Sequence, residues 1–368
     1  MPSREAWLRS VRRTAGPALM LTAIVVVFLP LSRAYDLGVF LKAGSAVIHG
    51  LHVYPRPGTP AVYSGFSFVY PYFAVWPFVP LAALSPALGT AVFFAICAGA
   101  VIGACYVEAD GDPRPAVLVL CTAFTITGLQ LGALSPLLMA GAVFVWRLRD
   151  RPLVFALLAA PVIACKLFLA PLLAWPLLAR RYRAFAWASV ATLALLALGF
   201  AFGPLGAVPY LRLLSALGAH EAHAGFGLIG ALRGAGLAAT AAEGVALALA
   251  AAVLASAYRH HRRTGDERVL FCAGLVVSLL LTPVLWSHYL ILLAAGLLVL
   301  DAPWRWFAAL AALSWLIAPP HGVDIDIRLL QRIGSLGAWL AIAASLLMFG
   351  YAAKPLRWHG GRRVGRPR

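Results

Sequence analysis

Residues 33–72, RAYDLGVFLKAGSAVIHGLHVYPRPGTPAVYSGFSFVYPY, are the first polar interruption in a chain that is otherwise mostly apolar. The stretch carries a carboxylate, Asp36, a cation, Lys42, two histidines, and a run of Tyr, Gly and Pro. It follows an apolar run at 16–32 that is long enough to be a first membrane span. Polar groups near a bilayer carry a solvation cost, which makes them functional candidates. We therefore expect the functional site to include this stretch.

The composition indicates an integral membrane protein. Of the 368 residues, 62% are apolar and 12% are charged, whereas a soluble domain has about 25% charged residues. Apolar runs separated by short polar breaks favour a helical bundle over a β-barrel, whose strands alternate residue by residue. We expect an all-α polytopic protein with a basic cytoplasmic segment at 1–15, one transmembrane domain at 16–353 and a basic cytoplasmic tail at 354–368.

The basic residues predict the orientation of the chain. They cluster at 4–13, 147–151, 180–183, 259–268 and 354–368. The positive-inside rule puts these clusters in the cytoplasm, so the net charge of +17 requires no nucleic-acid partner. With both termini inside, the number of crossings is even. Thirteen apolar segments can be drawn, so one between 68 and 130 is re-entrant or merged with a neighbour, which leaves about 12 crossings.

The same count places the polar groups that are not basic anchors on the extracytoplasmic face. They are residues 33–67, Gln130, Lys166, 220–233 and 286–288. A transporter more often has ionisable groups near the membrane midplane and an internal repeat, and the sequence has no convincing repeat. An enzyme is favoured, and a lipid or solute transporter, such as a flippase, is the alternative.

A short amphipathic helix is predicted directly after the first span. Its apolar positions are Leu37, Phe40, Leu41, Gly44, Val47, Ile48 and Leu51, which follow the i, i+3, i+4, i+7 spacing. Gly50 and Pro55 are expected to end it. Such a helix would lie in the interface with its apolar face toward lipid. Asp36 then sits at the helix N-terminus, where a helix-capping role is the alternative to a catalytic one.

An ordered set of motifs gives the chain a family resemblance. The set consists of Tyr35-Asp36, Gly50, Tyr54, Tyr70-Pro71, Lys166, Arg180-Arg181-Tyr182-Arg183 and TPVLWSHY at 282–289. From about residue 30 to 300, the chain resembles glycosyltransferase family 87, the bacterial polyprenol-phosphate-mannose-dependent mannosyltransferases of GT-C fold. The resemblance implies a GT-C-type bundle of about 12 transmembrane helices in the plasma membrane.

The resemblance also implies an activity. A hexose, usually mannose, would pass with inversion from a polyprenyl-phosphate donor to a hydroxyl of a lipid-linked or glycan acceptor on the extracytoplasmic side. Lys or Arg can meet the charge of the departing phosphate, so we expect no metal and no cofactor. Transfer of another sugar, such as arabinofuranose, stays open, because the loop at 225–233 differs from the family pattern.

Asp36 and His288 are the candidate catalytic residues. Asp36 is the first choice for the general base, because partial desolvation at the interface would raise its pKa and make it a better proton acceptor. His288 lies in the segment that matches the family and is a second candidate, as base, as partner of Asp36 or as a ligand of the acceptor hydroxyl. The alternative for His288 is an amphipathic anchor at the membrane edge.

Lys166 is the first candidate for donor binding. It is flanked on both sides by apolar sequence and is expected to bind the donor phosphate, the alternative being a side chain that snorkels to the interface. The other expected substrate-binding residues are Arg233, Gln130, Tyr35, Lys42, Tyr54, Tyr70 and Trp286. Aromatic residues near span ends, Tyr70 among them, could instead form an aromatic belt.

Two of these residues lie in segments that depart from the family pattern. Arg233 follows a Gly-rich loop that resembles the donor-side loop, but Phe226 stands where polar residues are common. Gln130 resembles part of a Gly-Gln-x-Asn patch in which Gly132 replaces the Asn.

The motif at 220–223, His-Glu-Ala-His, lacks metal-site spacing and is expected to be a solvated loop.

Overall fold

The computed structural model describes residues 33–56, 58–221 and 225–320, and its regular structure within these ranges is entirely helical. The α-helices are α1 Tyr35–Ile48, α2 Val79–Ala82, α3 Pro86–Glu108, α4 Pro113–Leu120, α5 Ala123–Leu131, α6 Ser135–Arg147, α7 Pro152–Cys165, α8 Ala174–Leu178, α9 Tyr182–Phe202, α10 Ala207–Glu221, α11 Leu228–Gly234, α12 Ala239–Thr264, α13 Arg268–Leu281, α14 Leu292–Val299 and α15 Trp304–Ile317. Short 3₁₀ segments lie at Pro60–Tyr63, Tyr72–Phe78, Leu167–Leu173 and Ser287–Ile291. The predicted first span at 16–32 and the basic segments at both ends of the chain lie outside the described residues.

The helices identify a membrane protein. By length and composition, α3, α9 and α12 can each cross a bilayer, and α4 with α5 would make a fourth, broken span. Their outward faces are apolar; on α9, Leu193 and Phe202 are 65% and 71% exposed. Apolar surface of this extent is suited to lipid rather than water. Seven shorter apolar helices accompany these spans, so the count of about 12 crossings and the GT-C arrangement stay predictions.

The break between α4 and α5 lies in the region where a re-entrant or merged segment was expected. The two helices are bent by 63°. The indole Nε1 of Trp315 donates to the Cys121 carbonyl at 2.9 Å, and the Ala123 amide donates to the Ser314 hydroxyl at 2.8 Å. Irregular backbone inside a bilayer is tolerated where other protein groups satisfy its polar atoms. α15 therefore stabilises the bend.

The predicted helix after the first span is confirmed, including its end. Gly50 has a left-handed backbone, with φ of 65°. The Leu51 amide donates to the Ala46 carbonyl and the Gly50 amide to the Val47 carbonyl. These two bonds define a Schellman motif, which glycine favours because it has no Cβ. Gly50 thus ends α1 as the sequence indicates.

The apolar face of α1 corrects one expectation. Leu37 and Phe40 are fully buried, and Gly44 lies against the Phe78 carbonyl of the 3₁₀ segment Tyr72–Phe78. The first half of this face therefore packs on protein instead of pointing to lipid. Only the end of the stripe, at Ile48 and Leu51, is exposed.

The bundle has a basic end and an opposite, polar end. Arg181 forms ion pairs of 2.8 Å with both Asp150 and Glu267, which joins three of the predicted cytoplasmic loops. Helices α7 and α13 begin in these loops. They end at Cys165 and Leu281, directly before two polar residues, Lys166 and Thr282. The polar residues that follow α7 and α13 therefore lie at the end opposite the basic loops.

Candidate active site

A cavity of about 760 Å³ lies at the end of the bundle opposite the basic loops. Its walls come from the start of α1, the loop at 62–70, the end of α5, the residues after α7, the end of α10 and the segment 282–289. Its polar lining residues are Tyr35, Asp36, Ser67, Tyr70, Thr127, Lys166, Tyr210, Glu221, Thr282, Trp286, Ser287, His288 and Tyr289. The remaining lining is mostly apolar, so the cavity is suited to a ligand with polar and apolar parts.

Lys166 lies in extended backbone between α7 and the following 3₁₀ segment. Its ammonium is 4.1 Å from the centroid of the Tyr70 ring and 4.9 Å from that of Tyr289. Two aromatic faces at these distances attract a cation and fix its position. The side chain is half-buried and lines the cavity.

The position of Tyr70 is held by two tyrosine hydroxyls. Tyr54 donates to the Tyr70 carbonyl at 2.7 Å, and Tyr210 donates to the Val69 carbonyl at 3.2 Å. These bonds fix the backbone that presents the Tyr70 ring to Lys166. Tyr54 was expected to bind substrate. It does not line the cavity, and its observed contact is this backbone bond.

Asp36 occupies the first turn of α1. The helix is preceded by Ala34, which is left-handed with φ of 45° and occupies the N-cap position. The observed geometry therefore differs from the capping alternative for Asp36. Burial raises the pKa of the Asp36 carboxyl from 3.8 to about 6, and the nearby Lys166 charge opposes the rise. A carboxyl with a pKa near 6 is ionised at neutral pH and remains basic enough to accept a proton.

The start of α1 is anchored on the end of α5. The Ala34 amide donates to the Gln130 carbonyl at 2.9 Å. Gly132 is left-handed, and a Cβ there would lie 2.5 Å from the Leu37 Cβ. Glycine at 132 therefore allows α1 to approach closely and helps to set the position of Asp36.

His288 lies in the 3₁₀ segment that precedes α14. It is 2% exposed, and its ring centroid is 4.3 Å from that of Tyr289. Its Nε2 is buried and has no hydrogen-bond partner among the described residues. Trp286 lines the same cavity and is 37% exposed. The imidazole therefore belongs to the cavity wall and retains a ring nitrogen that no described residue satisfies.

The Gly-rich loop before α11 packs directly on the segment that leads to His288. The Phe226 amide donates to the Leu285 carbonyl at 2.6 Å. A Cβ at Gly225 would lie 3.0 Å from Leu285 backbone atoms, and one at Gly227 would lie 3.2 Å from the Thr282 carbonyl. Small residues here allow the two segments to touch, and Phe226 adds an apolar side chain to the cavity wall.

The cavity contains six of the ten expected site residues. These are Tyr35, Asp36, Tyr70, Lys166, Trp286 and His288. The other four, Lys42, Tyr54, Gln130 and Arg233, are outside its lining. Lys42 is exposed on α1, Arg233 is half-buried on α11, and Gln130 is 1% exposed inside the bundle.

Seven polar residues of the cavity were not among the ten expected site residues: Ser67, Thr127, Tyr210, Glu221, Thr282, Ser287 and Tyr289. Glu221, expected in a solvated loop, is half-buried at the end of α10 and lines the cavity, where burial raises the pKa of its carboxyl. Its neighbour His220 is exposed and lies 4.4 Å from the ring of Tyr63. Thr282, Ser287 and Tyr289 belong to the segment 282–289 that carries the family resemblance, so this motif was the available signal for them. Thr127 gave no signal beyond a hydroxyl within an apolar run.

The cavity joins a carboxylate, a cation and a buried imidazole inside a helical membrane protein, and ionisable residues in such a setting mark a functional site. The model of glycosyltransferase family 87 matches residues 68–285, more than half of the chain, and the chain belongs to this family. No curated protein and no solved structure matches the chain. The matched range contains Lys166 and ends just before His288, and Asp36 precedes it. Roles for these last two therefore depend on the geometry of the cavity.

Proposed function

We propose that this protein transfers a hexose, with mannose as the first candidate, from a polyprenyl-phosphate donor to a hydroxyl of a lipid-linked or glycan acceptor. The observation that carries the proposal is the presence of the Asp36 carboxylate and the Lys166 ammonium in one cavity, within electrostatic reach of each other. Family membership supports glycosyl transfer over the transporter alternative.

The mechanism follows from these two groups. Asp36 accepts the proton of the acceptor hydroxyl while the oxygen attacks the anomeric carbon of the donor sugar. The bond from that carbon to the phosphate oxygen breaks, and the electron pair leaves with the polyprenyl phosphate. The ammonium of Lys166 stabilises the charge that develops on the phosphate. Attack from the face opposite the phosphate inverts the anomeric configuration, and no metal or cofactor is needed for this sequence.

The side of the membrane follows from charge. The loops joined by Arg181, Asp150 and Glu267 are basic and are assigned to the cytoplasm by the positive-inside rule. The cavity is at the opposite end of α7 and α13 and would face the outer leaflet of the plasma membrane. A lipid donor in that leaflet could bring its sugar to the cavity without leaving the bilayer.

The test is transfer of radiolabel from polyprenyl-phosphate-mannose by membranes that contain the protein. Wild type should label a lipid or glycan product, and Asp36→Asn should lose at least about 100-fold in rate, as expected for loss of a general base. Asp110→Asn is the matched control, because Asp110 is exposed on a turn outside the cavity. Transfer that survives in Asp36→Asn would contradict the mechanism.

The donor sugar is tested separately. Unlabelled polyprenyl-phosphate-arabinofuranose should compete poorly with the mannosyl donor. If the arabinosyl donor is consumed and the mannosyl donor is not, the hexose proposal is wrong, although the proposed chemistry of Asp36 and Lys166 would stand.

A further inference from the structure

Two buried polar atoms without a hydrogen-bond partner lie on residues of the cavity wall. They are Thr127 Oγ1 and His288 Nε2, and both residues are more than nine-tenths buried. Other buried atoms of the described residues also lack a partner, but of the whole set only these two belong to residues that line the cavity. An unpaired buried polar atom costs free energy, so a cavity that retains two is prepared for a ligand that completes their bonds.

Close packing at Gly128 brings the segments that carry Thr127 and His288 against each other. Gly128 follows Thr127, and a Cβ at Gly128 would lie 3.6 Å from the His288 Cβ and 2.9 Å from the hydroxyl oxygen of Ser135. Ser135 is fully buried, and its hydroxyl also has no partner among the described residues. The absence of a side chain at 128 therefore allows α5, α6 and the 3₁₀ segment Ser287–Ile291 to meet beside the cavity.

The chemistry of these atoms points to a neutral ligand. A threonine hydroxyl can both donate and accept, and an imidazole can do either according to its tautomer. Sugar hydroxyls have the same dual capacity. A charged group would carry a large desolvation cost so close to buried, uncharged partners.

We propose that Thr127 and His288 form a subsite for hydroxyl groups of the donor's transferred sugar; this inference rests on the proposed function. The neighbours of Lys166 favour the donor over the acceptor. The Lys166 ammonium is 4.9 Å from the Tyr289 ring, and that ring is 4.3 Å from the imidazole of His288. A sugar bonded to a phosphate at Lys166 would therefore lie beside His288. Asp36 is left for the acceptor hydroxyl.

The test compares binding of two lipids to the full chain in nanodiscs: polyprenyl-phosphate-mannose and bare polyprenyl phosphate. In Thr127→Val, the Kd for the sugar-bearing lipid should rise about 3- to 10-fold, which corresponds to the loss of one hydrogen bond. The Kd for bare polyprenyl phosphate should stay unchanged. Thr127→Ser keeps a hydroxyl and should bind like wild type.

Thr192→Val is the matched control for this substitution. Thr192 is also a buried threonine whose hydroxyl has no partner among the described residues, but it lies on α9 outside the cavity lining. Both valine variants remove an unsatisfied polar group, so neither should lower the melting temperature. Only Thr127→Val should weaken binding of the sugar-bearing lipid.

Three results would overturn the subsite. Unchanged binding in Thr127→Val would mean that the two atoms hold only water. Equal loss for both lipids would mean a general distortion of the cavity. A raised KM for the acceptor with unchanged donor binding would assign the hydroxyls to the acceptor. Failure of the proposed function is separable, because wild-type membranes would then transfer no radiolabel from the donor, whereas failure of the subsite alone would leave that transfer intact.

Discussion

The pH dependence of transfer is a direct consequence of the environment of Asp36. Burial raises the pKa of this carboxyl to about 6. A general base acts only when deprotonated, and the deprotonated fraction of such a group is about 9% at pH 5 and about 91% at pH 7. We therefore expect kcat/KM to rise about tenfold between these two pH values and to level off above them.

The charge of Lys166 provides a second test of the same pH dependence. Its ammonium attracts the carboxylate and so holds the pKa of Asp36 below the value that burial alone would produce. Substitution Lys166→Met removes this attraction, so the midpoint of the pH profile should move to higher pH. Lys166→Met also removes the residue proposed to bind the donor phosphate and should lower the absolute rate. The direction in which the midpoint moves does not depend on the size of that loss.

Arg212→Gln is a matched control for the loss of a positive charge. Arg212 is exposed on α10 and does not line the cavity, so this variant should keep the wild-type profile. The assay measures initial rates of radiolabel transfer at donor concentrations below KM, with protein in nanodiscs and at constant ionic strength. These conditions report kcat/KM and therefore the ionisation of the free enzyme.

Two outcomes would refute the reasoning. A wild-type midpoint close to 4, the value of an ordinary carboxyl, would mean that Asp36 is not desolvated or is not the base. A profile for Lys166→Met that coincides with the wild-type profile would mean that the two groups do not interact in the working enzyme.

Three further predictions concern stability and binding. Asp36→Asn should raise the melting temperature above about pH 6, because the ionised buried carboxylate destabilises the wild-type fold there. The gain should vanish toward pH 3.8, where the carboxyl of folded wild type is protonated. Equal melting temperatures at every pH would contradict the burial of this group. Gly132→Ala should destabilise by about 1–2 kcal/mol from the left-handed backbone alone, and a chemical denaturation series should show this loss; Gly99→Ala, where a Cβ has open space within 4 Å, is the control. Tyr289→Leu should weaken binding of polyprenyl phosphate, because it removes one aromatic face from Lys166. Tyr289→Phe keeps the aromatic face and should retain most of the affinity. Equal affinity of the two variants in lipid titrations would argue against the aromatic contact.

Part of the fold can be predicted because it depends on local sequence. The stop of α1 at Gly50 follows from glycine's tolerance of a left-handed backbone. The shared position of three basic loops follows from charge, and the ion pairs of Arg181 confirm it. The burial of Leu37 and Phe40 was not predictable, because an amphipathic face indicates only that something apolar covers it. Whether lipid or protein does so depends on tertiary packing.

In the cavity, too, some residues could be predicted from local sequence and others depend on tertiary packing. Asp36, Lys166 and His288 were predicted because each is a polar residue next to an apolar segment and belongs to a motif of the family resemblance, and the structure brings them to one cavity. Glu221 was assigned to a solvated loop because its sequence neighbours are polar, and its burial depends on how the end of α10 packs. The backbone hydrogen bond from Ala34 to Gln130 joins residues that are far apart in the chain. Backbone groups are the same at every residue, so the sequence pattern could not predict this contact.

The side of the membrane on which the cavity opens is the central claim, and labelling of single cysteines tests it most directly. His52→Cys, in the exposed loop after α1, and Arg151→Cys, at the basic end, would each be placed in a background without the native cysteines. In intact cells, a membrane-impermeant maleimide should label position 52 and should reach position 151 only after the cells are broken. Labelling of position 151 but not of position 52 in intact cells would put the Asp36 carboxylate on the cytoplasmic side and would contradict the account.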